Sequence, residues 1–203
     1  MMLIFKITKL IGEFTIFTAN TLKSIIYLNR RGFIFVTQLK KIGYDSTLLI
    51  IVTSAFTGLV TALQATYQTK GYIPVSLISV MVSKSSMIEL SPVLTSLVLA
   101  GKVGATISAE IGSMKVTEQV DALESMSVNP YEYIHMPRLL ATVCMLPVLV
   151  IFSIFISILA AFIFSYYFYH ISSYTFFFNM KTFFEPMDLW IGLIKAVCFG
   201  FII

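Results

Sequence analysis
Apolar residues in this chain gather into long runs separated by short charged stretches, a pattern of membrane-embedded helices. Residues 46–69 (STLLIIVTSAFTGLVTALQATYQT) carry no charge over 24 positions. As a helix they extend roughly 36 Å against a hydrocarbon core of about 30 Å, so they are predicted to span. Residues 139–169 are also uncharged and predict a second, longer span, with Pro147 as a kink and SYYFYH at the far interface. Between the two, residues 72–109 are apolar but carry Lys84, Glu89 and Lys102. A charge deep in a membrane helix costs about 2.5–3.5 kcal/mol on insertion scales, and so normally faces protein or a cavity. A short re-entrant piece before Lys84, followed by a span from about residue 87 to 108, accommodates all three. Residues 187–203 form a fourth apolar segment, with Asp188 near its start and Lys195 inside it. The pattern predicts an all-α polytopic membrane protein of one domain with about four membrane-embedded helices.

The first 45 residues differ. They carry seven Lys/Arg (Lys6, Lys9, Lys23, Arg30, Arg31, Lys40, Lys41) against Glu13 and Asp45, interleaved with apolar residues. This composition predicts an N-terminal interfacial amphipathic helix on an anionic leaflet, on the cytoplasmic or stromal side. With that orientation Lys115 and Arg138 fall inside, Lys70 and Lys181 outside, and the positive-inside rule is met. Lys6, Lys9 and Glu13 interrupt the opening apolar stretch, and no small-residue cleavage site follows, so it is expected to stay in the mature protein rather than act as a signal peptide.

Composition agrees: 58% of the 203 residues are hydrophobic and 12% charged, whereas a soluble domain is about 45–50% apolar. Cys144 and Cys198 lie in apolar runs without metal-ligand spacing, and are expected to be lipid- or core-facing fillers. His135 and His170 fall on opposite predicted sides of the membrane, so no metal site is expected. Gly101-Lys102 is followed by Val103 and lacks the glycine of a phosphate-binding loop, so any ATP is expected on another chain. No Ser/His or paired-acid arrangement favours a membrane-embedded enzyme, and no inverted repeat favours a stand-alone secondary transporter; these are the competing readings. The 26 isoleucines against 12 alanines suggest AT-rich coding, which favours a plastid membrane, with a bacterial inner membrane as the alternative.

Two features sit in one stretch. Gly101, Ala105, Ser108 and Gly112 recur every three or four residues, a stripe that, together with Gly104, would permit close helix packing. The stretch then turns acidic. From Lys115 to Ser127, Val116, Val120 and Leu123 share one predicted helical face, with Glu118, Asp121 and Glu124 opposite. The loop from Glu110 to Arg138 carries five acids and two bases, a net charge of −3 in a chain of +4. Such an acidic helix on the positive side suits docking onto a soluble partner with a basic groove; Asn129-Pro130 should end it.

With ELSPV (residues 89–93), AGKVGATISAEIGSMKVTEQVDALESMSVNP (100–130) and Pro137-Arg138, supported by Gly43, Ser46 and FTGLVTALQ (56–64), the chain resembles the MlaE-type permeases of ABC transporters from residue 38 or so to its end. The resemblance implies a single permease domain that moves a phospholipid or galactolipid precursor across or between envelope membranes. It implies a homodimer, bound to an ATPase subunit that carries the ATP, and a lipid-binding subunit that delivers cargo; no cofactor and no nucleic acid are expected. Residues 110–130 then correspond to the cytosolic coupling helix, with Glu110, Gly112, Met114, Thr117, Glu118, Asp121 and Glu124 as ATPase-coupling residues. Glu89, Leu90 and Pro92 correspond to lipid-cavity positions. Two departures are Ile88, where the family usually has Arg, and Ser91, where it has Gly. The family's final spanning helix is expected to be missing after Ile203.

Overall fold
The computed structural model describes residues 2–24, 32–69, 74 and 77–203. Arg30, Arg31 and Lys70 of the charge pattern, and residues 72, 73, 75 and 76 of the expected re-entrant piece, lie outside the described residues. The architecture is an all-α membrane bundle, as the apolar runs predicted, with three helices among the described residues long and apolar enough to cross a membrane.

Helix α1 (Met2–Lys23) is exposed along most of its length. Helix α2 (Gly32–Thr69) begins well before residue 46, which corrects the boundary drawn from charge: residues 32–45 belong to the spanning helix, not to one interfacial element with α1. The helix continues through Lys41 because a carboxylate satisfies its charge. Lys41 pairs with Glu110, and the Asp45 carbonyl accepts from Lys102.

Helix α3 is a single run, Ile78–Val116, and no re-entrant piece precedes Lys84 among the described residues. Two widened π turns interrupt its α geometry, at Ser86–Leu90 and Ala100–Gly104. Lys84, the charge that argued for a break, bonds Glu185 at 2.9 Å and lies 3.4 Å from Asp188. A short helix α4 (Gln119–Ser125) comes next. Helix α5 (Tyr131–Tyr169) opens with a π turn and passes through Pro147 without ending. Its C-terminus closes at His170 in the left-handed region (φ 52°). Helix α6 (Ser173–Thr182), which the charge and hydropathy pattern did not reveal, is anchored by the fully buried Phe176 beneath Phe162. Helix α7 (Pro186–Ile202) lies against α3 and α5.

Small residues hold the bundle together. Lipid tails are as apolar as leucine, so helices in a membrane associate through close packing and interhelical hydrogen bonds. At the α2–α5 contact a methyl on Gly58 would overlap the Ser157 carbonyl, and nearby Ser54 donates to Ser153 at 2.8 Å. At α3–α7 a methyl on Gly192 would overlap the Met87 carbonyl and press on Pro92. Ser86 and Ser157 join α3 to α5 at 3.1 Å. Leu99, Leu146, Leu149 and Val150 fill the core between these contacts.

Candidate functional site
One end of the bundle carries the acidic segment. Helix α3 stops at Val116, and Glu118 takes φ 57°, a left-handed conformation that a non-glycine residue adopts at some cost. The chain therefore turns, and α4 starts a new axis. This corrects the single amphipathic helix expected from Lys115 to Ser127. Val116, expected on one face with Val120 and Leu123, sits on the far side of the turn, 84% exposed. A second left-handed residue, Ser127 (φ 58°), ends the segment, and the Asn129 side chain accepts from the Tyr131 N–H at 3.0 Å to start α5.

Glu118, Asp121 and Glu124 are exposed and form no ion pair among the described residues. Beside them Met114, Leu123, Met126 and Tyr133 line a shallow apolar groove of about 300 Å³. Thr117 turns its hydroxyl back to the Ser113 carbonyl, and Gly112 is exposed. The exception is Glu110. Its carboxylate bonds Lys41 of α2 through Oε1 and Arg138 of α5 through Oε2, the latter at 2.9 Å. Glu110 thus ties three helices together, one turn and a half before the projection begins. No spacing could have revealed this junction, since its members lie 69 and 28 residues apart and counted in the sequence only toward net charge.

The predicted lipid-cavity residues separate. Glu89 is exposed on the outer surface of α3 within the first π turn, and Leu90 is half-buried. Pro92 is fully buried against Gly192 and packs α3 on α7: its ring lies where the missing glycine side chain leaves space. The carbonyl of Ile88, in the same π turn, accepts from Lys195 of α7 at 2.9 Å. The widened turn thereby gives the intramembrane lysine a partner.

The predicted packing stripe is also displaced. Gly101, Ala105, Ser108 and Gly112 are exposed, and nothing lies within 4 Å of where a methyl on Gly101, Gly104 or Gly112 would sit. Among the described residues of one chain, nothing packs on the glycines of the stripe. The stripe faces outward at and beyond the π turn at 100–104, while the buried close contacts fall to Gly58, Gly192 and Gly200.

These outward features lie within residues 35–203, which match the family model described as Permease MlaE. The chain belongs to the MlaE permease family. It is 36% identical to a probable ABC transporter permease protein of Rickettsia bellii, over 98% of this chain and 76% of that protein. A probable ABC transporter permease protein of Synechocystis is 35% identical over 87% of this chain and 66% of its own length. One of Porphyra purpurea is 32% identical over 82% and 63%. This MlaE permease is accordingly an ABC transporter permease, whose acidic α4 segment projects from one end of a membrane bundle.

Proposed function
We propose that the protein is the membrane subunit of a lipid-moving ABC transporter, powered by a separate ATPase subunit that docks on the segment from Met114 to Glu124. The exposed, unpaired acids Glu118, Asp121 and Glu124 beside an apolar groove carry this reading. Such a surface offers charge steering and an apolar seat together. Glu110 stands behind this contact as the tie between the projection and the spanning helices. ATP, in this reading, is bound by the partner, and the permease contributes no cofactor.

The lipid pathway is assigned to the outer face of α3. An exposed carboxylate on a spanning helix needs a polar surrounding, and Glu89 with the outward stripe of Gly101, Ala105 and Ser108 supports a second copy facing this one across a cavity for headgroups. A phospholipid or galactolipid precursor, delivered by a lipid-binding subunit, is the proposed cargo. Relatives in Synechocystis and Porphyra are compatible with a bacterial or plastid membrane.

The test is reconstitution of the permease with its ATPase in vesicles containing a photo-crosslinkable phospholipid. Glu89→Ala should reduce lipid cross-linking severalfold while the ATPase stays bound, because Glu89 and the docking segment are over twenty residues apart on α3. Undiminished capture would remove Glu89 from the pathway, and loss of the ATPase would make it structural.

A further inference from the structure
The junction at Glu110 leaves one group unsatisfied. Arg138 is 5% exposed, and its Nη2 donates to the Glu110 carboxylate; among the described residues, Nε and Nη1 are buried without a partner. Buried guanidinium donors without acceptors are costly, and native structures seldom leave them so. Arg138 also lines a cavity of about 280 Å³ that α1, α3, α5 and α7 enclose together, with Thr18, Thr21, Ile111, Thr142 and Phe201 among its walls. The hydroxyls of Thr21 and Thr142 already donate to the carbonyls of Phe17 and Arg138, at 2.9 Å each. Arg138 thus brings two unpartnered donors to a wall it shares with the imidazole of His135.

Charge at the junction is unbalanced as well. Lys41 and Arg138 share the single carboxylate of Glu110, which leaves one positive charge. A monoanion with several acceptor oxygens would satisfy both deficits, and a guanidinium is well suited to phosphate. Position indicates the source of that anion. Arg138 stands in the first turns of a helix long and apolar enough to cross a membrane, beside helix α1, at the end of the bundle that carries the acidic segment. The cavity's other walls are mostly apolar, which suits the glycerol and upper acyl region of a lipid better than a free ion.

We propose that this cavity binds the phosphodiester headgroup of an anionic phospholipid, held by Arg138, on the same side of the membrane as the acidic segment. The site is separate from the transport pathway assigned to Glu89 and does not depend on what the permease carries. A lipid seated there would brace α1 against α5 and α7 and complete the coordination of Arg138.

The decisive measurement is native mass spectrometry of the full chain in neutral detergent, titrated with dioctanoyl phosphatidylglycerol, dioctanoyl phosphatidylcholine or inorganic phosphate. Phosphatidylglycerol should bind once per chain, at least tenfold more tightly than either other probe. Arg138→Gln should lower that affinity at least tenfold, and Arg138→Lys should restore part of it. Ile111→Trp narrows the cavity from α3 without removing any charged group, and should also lose the lipid; it decides the matter if Arg138→Gln fails to fold. Equal binding of phosphatidylcholine would overturn the anionic preference, and equal binding of inorganic phosphate would make this a free-anion site. Undiminished phosphatidylglycerol binding by Ile111→Trp would place the lipid elsewhere.

Discussion
The bundle interior and the outer face of α3 use the same small residues and the same acids to opposite ends. Inside, Gly58 and Gly192 sit against backbone carbonyls, and Glu110 is clamped between two cations. Outside, Gly101, Gly104 and Gly112 meet nothing, and Glu89, Glu118, Asp121 and Glu124 are exposed. Residue type thus says little by itself about role. A glycine in the interior sets the distance between two helices; the same residue on the outer face leaves space that only another molecule can use.

Substitutions on both sides test this contrast. Gly58→Leu should have the largest effect, because the overlapping atoms belong to the Ser157 backbone and no side chain can move aside. Overpacking typically costs about 1–3 kcal/mol, and here relief would require separating α2 from α5. Size-exclusion profiles in detergent should show little monodisperse protein; a normal profile would mean that the α2–α5 contact is looser than described.

Glu110→Gln comes next. Removing one partner of a buried ion pair costs about 3–5 kcal/mol, and the low end applies because Glu110 remains a quarter exposed. Thermal unfolding should shift down clearly, and Lys41→Met should cost less because Lys41 is the more exposed cation. Equal losses from the two would argue that Arg138 is not the member that matters.

On the outer side the effects on stability should be small. Reversing Glu118 and Asp121 to Lys should change unfolding by less than about 0.5 kcal/mol, as exposed positions usually do. ATPase binding should fall about tenfold and lose its salt sensitivity, since screening acts on exposed charges. Binding that ignored the reversal would leave the docking proposal without support. Gly112→Leu should disturb the isolated chain least of all, for nothing lies near it. A drop in cross-linked dimer without a drop in thermal stability would assign the stripe to a second copy.

Much of this contrast was hidden in the sequence for a physical reason. Periodicity shows that small residues share a helical face, but not which way the face points. That depends on where the helix sits in the bundle and on the π turns at Ser86–Leu90 and Ala100–Gly104, each of which rotates the helical face beyond it. Charge patterning misled in a similar way. Lys84 and Lys41 argued for helix breaks, yet Glu185 and Glu110, distant in sequence, neutralise them and let α3 and α2 run on.

Legible in the chain alone were the all-α membrane class of the molecule, the apolar runs that form its long helices, the acidity of the loop between α3 and α5, and the family. Those rest on local hydropathy, net charge and contiguous motif residues, which need no partner to be read. Only the tertiary structure decided that Glu110 faces inward while Glu118 faces out, that Pro92 packs on Gly192, and that Arg138 is buried with two nitrogens unpaired. Each of those depends on a contact between residues far apart in the chain, and a linear pattern carries no information about which distant side chain arrives to satisfy a charge or fill a gap.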